Sequence, residues 1–67
     1  MFIISEANPS GYATAQTKTN NIRDIYDIVL NITNNEQEAK RALEIASEMG
    51  FGGQHERARY LLECVRG

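Results

Sequence analysis

The 67-residue sequence predicts a small α+β domain, in which an N-terminal β-hairpin or extended arm precedes three short helices. Three observations predict this fold. The chain opens with an apolar, β-branched stretch followed by turn-forming residues. Apolar residues then recur at helical spacing from Asn21 onward, and a Gly-Gly pair at 52–53 separates two of the helical segments. The main alternative is an all-α three-helix domain with an irregular leader.

Size and composition limit the function classes that this chain can belong to. With 67 residues there is room for one domain, with the hairpin or arm over residues 1–19 and the helical part over residues 20–67. Hydrophobic content of 42% and charged content of 24% are typical of a folded domain rather than a disordered one. The net charge of −2 argues against affinity that depends on phosphate contacts.

Cysteine usage and hydropathy predict the compartment. Cys64 is the only cysteine, so no internal disulfide can form, and a single thiol fits a reducing compartment. No apolar run approaches the roughly 20 residues that are needed to span a bilayer. We therefore expect a cytoplasmic protein with no membrane contact.

The first predicted element is the hairpin. Residues 2–5 form its first arm, residues 8–11 read Asn-Pro-Ser-Gly and suit a type I turn, and residues 12–19 form its second arm. Alternation places Gln16 and Lys18 on one face of the second arm and Thr17 on the other. An isolated hairpin is barely stable in water, so this one must lie on the helices, add to a partner's strand, or be a mobile arm.

Helix one follows, with Asn20 or Asn21 as its cap. Its apolar positions, including Tyr26, spread over roughly 200° of the circumference, which is wide enough to contact neighbours on two flanks. The apolar residues at helical spacing are Ile22, Ile25, Ile28, Val29 and Ile32.

Helix two begins after a break at residues 33–35, where Thr33 and Glu36 match a capping box. Its alanines allow a neighbouring helix to approach closely, and the short connection predicts an αα-hairpin with helix one. The apolar stripe consists of Ala39, Ala42, Leu43, Ile45, Ala46 and Met49.

Helix three is predicted over residues 54–66. Gly50 suits the end of helix two, Phe51 can fold back over that end, and the chain then restarts after the Gly-Gly pair. Tyr60 lies opposite the stripe and is expected to face away from the core, with packing over helix two or the hairpin as the alternative. The stripe consists of Ala58, Leu61, Leu62 and Val65.

The stretch across the glycines resembles a helix-turn-helix in general form. Ala46 and Gly50 have the spacing of the small residues that allow close packing at the turn, and the resemblance places His55, Arg57 and Arg59 toward a DNA groove. The next apolar positions fall two residues later than in such a motif, and the charge over residues 38–66 is close to neutral or negative. DNA binding through these residues is therefore the alternative function.

Catalytic chemistry is not expected. His55 and Cys64 lie nine residues apart in the sequence, about 13.5 Å along the predicted third helix, which is too far for a thiolate-imidazole pair. Glu36, Glu44 and Glu48 of helix two occupy its solvated face. Nothing else indicates a catalytic group, a cofactor or a metal ion.

The remaining expectation is a non-enzymatic protein-interaction module, a regulator or inhibitor that covers a partner's surface. A homodimer is a further expectation, because so short a chain buries little apolar area on its own. Tyr and Arg are enriched where proteins bind one another. The candidate partner-binding residues are Tyr60, Arg57, Arg59, His55 and Tyr26.

Overall fold

The computed structural model describes residues 1–6, 16–49, 52–57 and 59–65. Within them, two helices pack on one face of a four-stranded antiparallel sheet, which confirms the α+β class. The elements are β1 (Phe2–Glu6), β2 (Gln16–Thr19), α1 (Ile22–Thr33), α2 (Glu36–Glu48), β3 (Gln54–Glu56) and β4 (Tyr60–Cys64). The strand order β2-β1-β4-β3 places β1 and β4, which are far apart in the sequence, side by side in the centre.

The N-terminal hairpin is present and lies in the sheet. Strand β1 pairs with β2, with Phe2 opposite Thr19 and Ile4 opposite Thr17. Ile4 is buried beneath the helices, so its partner Thr17 shares that face and Lys18 lies on the other, as the alternation predicted. Pairing of β1 with β4 supplies the support that an isolated hairpin lacks. The predicted turn at residues 8–11 lies outside the described residues.

Helix α1 begins where it was predicted and extends one residue further, through Thr33. The Asn21 side chain accepts a hydrogen bond from the backbone N–H of Arg23 at 3.0 Å and caps the helix. After the last turn Asn34 adopts the left-handed conformation (φ 53°), and its N–H donates to the carbonyl of Leu30. Asparagine tolerates this conformation better than most residues, which explains a clean stop without glycine.

The cap of α2 differs from the prediction. Thr33 does not open the second helix but closes the first, because its hydroxyl donates to the carbonyl of Val29 at 2.8 Å. The cap is Asn35, whose side-chain oxygen accepts from the backbone N–H groups of Gln37 and Glu38. Asparagine at this position satisfies two free donors of the first turn, so the capping box is not used.

The two helices form the predicted αα-hairpin. Ala39, Ala42 and Ala46 of α2 are buried, and they belong to the same core cluster as Ile25 and Val29 of α1. Small side chains on α2 let the helix axes approach closely, while the branched residues of α1 fill the space between the helices and the sheet. Neither helix among the described residues is long and apolar enough to cross a membrane.

The third helix predicted over residues 54–66 is wrong. Strands β3 and β4 form a hairpin there, with His55 opposite Leu62, and β4 also pairs with β1. As a strand, β4 directs Tyr60, Leu62 and Cys64 into the core and leaves Leu61 on the opposite face. A peripheral helix would have buried only a narrow stripe, whereas a central strand buries one whole side and hydrogen-bonds on both edges.

The glycine pair starts the second hairpin. Gly52 has a positive φ of 86°, and its N–H donates to the carbonyl of Cys64, while the Cys64 N–H donates to the carbonyl of Gly53. These bonds align β3 with β4. Helix α2 ends at Glu48 with Met49 as its C-cap, and the glycine cap and apolar clasp predicted at residues 50–51 lie outside the described residues.

Candidate functional site

A pocket of about 310 Å³ lies where the loop between β3 and β4 meets the turn between α1 and α2. Three of the five predicted partner-binding residues line it. The structure brings these three together from one hairpin and adds residues from both helices. The lining residues are Thr33, Asn35, Glu38, Arg57, Arg59 and Tyr60.

Tyr60 is buried, contrary to the expectation that it faces away from the core. It is the first residue of β4, and its side chain is only 1% exposed because alternation along the strand directs it beneath the helices. Its hydroxyl is shielded from solvent and has no hydrogen-bond partner among the described residues. The alternative expectation, that Tyr60 lies over the helix or the hairpin, is closer to the structure.

Burial and charged neighbours shift the pKa of the Tyr60 hydroxyl. Burial raises the pKa of Tyr60, the Glu38 carboxylate raises it further, and the guanidinium groups of Arg57 and Arg41 lower it. The Arg57 guanidinium lies beside the hydroxyl without meeting the geometry of a hydrogen bond. Because Glu38 and Arg57 both line the pocket, the hydroxyl end of the ring lies on the pocket side. It stays protonated at neutral pH, so it can donate one hydrogen bond and accept others.

Arg59 fixes the hairpin loop to the first helix. Its Nη1 donates to the backbone carbonyl of Thr33 at 2.9 Å. Helix α1 has no basic residue in its own last turn, so this cation supplies the favourable charge at the helix C-terminus. The contact holds one wall of the pocket in place.

Two of the three polar side chains on the helix side of the pocket already make hydrogen bonds within the protein. The Asn35 oxygen caps α2, and the Thr33 hydroxyl donates to Val29. The Tyr60 hydroxyl, which has no partner among the described residues, and the exposed side chain of Arg57 remain for a ligand, with Glu38 as the acidic neighbour.

His55 and Cys64 are closer than the predicted helix implied. His55 lies opposite Leu62, and Cys64 lies opposite Gly53. His55 and Cys64 are therefore diagonal neighbours on one sheet face, and the Cα atoms of such a pair are roughly 7–8 Å apart. The separation of about 13.5 Å is wrong because it assumed a helix. No hydrogen bond joins their side chains within the part of the chain that is described. Cys64 is buried, and the Nε2 atom of half-buried His55 has no partner there either.

Tyr26 and His55 are not part of the pocket. Tyr26 is half-buried on α1, about two helical turns before Thr33, and it packs against the core cluster. His55 lies within β3, on the face that the helices cover. The five candidate residues therefore do not form one surface, and only the three that line the pocket come together.

Sequence reasoning missed Thr33, Asn35 and Glu38 as lining residues. The break at residues 33–35 was visible as the turn between the helices. A third helix would have placed Arg57 beside Tyr60 but Arg59 on nearly the opposite side from Arg57, and only the hairpin brings all three to that turn.

The described residues contain no group of three metal-ligating side chains. Neither protein-family models nor curated proteins nor solved structures match this chain. The pocket and the surface around it are therefore the features on which a functional proposal rests.

Proposed function

We propose that this chain is a non-enzymatic cytoplasmic protein-interaction module, a small regulator or inhibitor that covers part of a partner's surface. The contact surface in this proposal is the pocket at Tyr60 and its exposed rim. The observation that carries it is the Tyr60 hydroxyl, which is shielded from solvent and has no partner among the described residues. Leaving such a group unsatisfied costs about 1–3 kcal/mol, which a partner's polar group would recover.

The rim supports the same proposal. Arg57 and Arg59 are exposed between β3 and β4, and Tyr and Arg are enriched at the centre of protein interfaces. The base of the surface is rigid, because Arg59 is tied to Thr33 and Tyr60 lies in a central strand. A preformed surface loses little entropy when it binds.

DNA binding, the alternative function, loses its expected geometry. The helix-turn-helix required a helix over residues 54–66, and strands β3 and β4 take its place. His55, Arg57 and Arg59 therefore do not line a recognition helix, and no feature of the described residues favours DNA over protein. A salt titration with duplex DNA remains a direct check, because phosphate-driven binding would weaken steeply with salt.

Capture of partners from native cell extract tests the proposal. The wild-type chain is compared with Tyr60→Phe and Arg57→Gln, and captured proteins are measured by quantitative mass spectrometry. Arg23→Gln is the matched control, because Arg23 is exposed in the first turn of α1, about 15 Å along the helix axis from Thr33. We expect both pocket variants to lose the same partner while the control keeps it. Equal capture by all four folded chains would show that the contact surface lies elsewhere.

Self-association is a separate proposal. Sedimentation over a range of concentrations checks it, with a rising weight-average mass as the expected result for a homodimer. A strict monomer at every concentration would contradict it.

A further inference from the structure

The charges of the pocket residues favour a singly charged anion. Two arginines and one glutamate line the pocket, which leaves one net positive charge. Arg41 also lowers the pKa of Tyr60, but its charge is balanced by an ion pair with Glu44 at 3.2 Å, so it does not add to this count. A phosphate dianion would bring a second negative charge close to Glu38, whereas a carboxylate balances the pocket charge without excess.

The Tyr60 hydroxyl and the Arg57 guanidinium are suited to the same acceptor. The Tyr60 hydroxyl can donate one hydrogen bond, and the planar guanidinium of Arg57 presents several donors in a fixed fork. A carboxylate has two oxygens with the matching spacing, so it can take one bond from each group or a paired bond from the arginine.

We infer that the pocket anchors one carboxylate group of the partner between the Arg57 guanidinium and the Tyr60 hydroxyl. This inference rests on the proposed function and names the chemistry of the group that the partner inserts. The carboxylate can come from the side chain of an aspartate or glutamate, or from the C-terminus of a chain. Both sources present the same planar anion.

Entry of the carboxylate requires one side chain to move. The hydroxyl is shielded from solvent, and Arg59 is held by the Thr33 carbonyl. Arg57 is exposed and lies beside the hydroxyl, so it is the group that swings outward and closes over the anion. The pocket of about 310 Å³ is large enough for a side chain of this size.

Small carboxylates test the inference without knowledge of the partner. N-acetylglycine represents a chain end, and N-acetylglutamate N-methylamide represents a side chain. N-acetylglycinamide and the corresponding glutamine derivative are their uncharged controls, and inorganic phosphate at equal ionic strength is the competing anion. Binding is followed by NMR titration of the isotope-labelled chain at the arginine Nε–H signals and the Tyr60 amide.

We expect saturable shifts with the carboxylates, with dissociation constants on the order of millimolar for so few atoms, and none with the amides. Binding of both carboxylates, or of either one alone, supports the anchor and identifies its source. Equal shifts with the amides, or tighter binding of phosphate, would overturn it.

Variants locate the site. Arg57→Gln should weaken carboxylate binding at least about tenfold, and Tyr60→Phe should weaken it about threefold or more, because each removes one donor to the anion. Arg57→Lys keeps the charge but not the fork and should lie between the wild type and Arg57→Gln. Arg23→Gln should bind as the wild type does. Unchanged affinity in a folded Arg57→Gln chain would overturn the inference.

The two proposals can fail separately. If partner capture depends on Arg57 and Tyr60 but no carboxylate binds, the interaction module stands and the anchor chemistry is wrong. If carboxylates bind at Arg57 but no captured protein depends on the pocket, the anchor stands as a site for small carboxylates and the proposed function is wrong.

Discussion

At the scale of single residues, Tyr60 combines a stabilising ring with a destabilising hydroxyl. The ring fills the core between the helices and the sheet, and the hydroxyl is desolvated without a partner among the described residues. Natural proteins keep such a group where it serves binding, even though it lowers stability. The two contributions can be separated by substitution.

The first prediction concerns Tyr60→Phe and Tyr60→Ala at neutral pH. Phenylalanine keeps the ring and removes the unsatisfied hydroxyl, so the free energy of unfolding should stay the same or rise by about 1 kcal/mol. Alanine also removes the ring from a fully buried site, so it should lower the free energy of unfolding by about 3–5 kcal/mol. Urea denaturation followed by circular dichroism measures both. A clear loss of stability in Tyr60→Phe would mean that the hydroxyl has a partner.

The second prediction concerns alkaline pH. Burial and then the Glu38 carboxylate raise the pKa of Tyr60 above the ordinary value of 10.0, so the folded state keeps this proton to higher pH than the unfolded chain. The free energy of unfolding should therefore fall as the pH rises above about 10. Below about pH 10 Tyr60 is protonated in both the folded and the unfolded chain, so its contribution to that free energy does not change with pH. Urea denaturation at pH values from about 8 to about 11 should give free energies of unfolding that diverge, because the wild type loses stability above about pH 10 and Tyr60→Phe lacks the group that titrates. Parallel curves over the whole range would contradict it.

The third prediction concerns the tether between the hairpin and the first helix. Arg59→Ala removes the bond to the Thr33 carbonyl and the cation at the end of α1, so it should lower the free energy of unfolding by about 1 kcal/mol. Arg41→Ala is the matched control. Its ion pair with Glu44 is exposed on both sides, at 57% and 67%, and such pairs contribute about 0–1 kcal/mol. An equal or larger loss in the control would argue against a structural tether.

At the scale of elements, β4 determines whether the second half of the chain is sheet or helix. In a helix Leu61 and Leu62 would share the apolar stripe, whereas in a strand they lie on opposite faces. Leu62 is fully buried, and Leu61 is half-buried on the face of the sheet that the two described helices leave open.

The fourth prediction uses this pair of neighbours. Leu62→Ala should lower the free energy of unfolding by about 2–5 kcal/mol, because it leaves a cavity in the core. Leu61→Ala should cost less than half as much, because Leu61 already contacts solvent. Urea denaturation of the two variants makes the comparison. Equal losses would support the helix and contradict the strand.

The sequence predicted α1, α2 and the N-terminal hairpin because their signals are local. Helical spacing and the break at residues 33–35 need no knowledge of distant residues. Strand β4 was missed because Leu61, Leu62 and Val65 also satisfy helical spacing, and because pairing with β1 across the length of the chain leaves no local trace.

The sequence pointed to the pocket residues on β4 and the loop before it because tyrosine and arginine are enriched at protein interfaces. The structure brings Arg57, Arg59 and Tyr60 together, but by a geometry that the predicted helix did not contain. A tyrosine hydroxyl inside the core could not be foreseen, because the same residue was placed outside it.

At the scale of the whole molecule, the core depends on contacts between distant parts of the sequence. Phe2 lies opposite Cys64, and the pairing continues past the strand, where the Met1 nitrogen donates to the Val65 carbonyl at 3.0 Å. The β1–β4 pair forms the base on which both helices lie. Removing either strand should therefore expose part of the apolar core that both helices share with the sheet.

The fifth prediction is a truncation. A chain that ends at residue 56 keeps β1, β2, both helices and β3, yet it loses the buried residues Tyr60, Leu62 and Cys64. A domain of this size has a total stability of roughly 3–10 kcal/mol, which the loss of a central strand exceeds. We expect no cooperative thermal transition by circular dichroism. A sharp melting transition in the truncated chain would show that the helical hairpin folds alone.

The pairing of β1 with β4 also determines when the protein can fold during its synthesis. A ribosome makes β1 before β4, so Ile4 and the apolar sides of both helices lack the second central strand until β4 has been synthesised. Non-local pairing of this kind slows folding. The nascent chain therefore reaches its native fold only after β4 has been synthesised, and until then its apolar surfaces are accessible to chaperones.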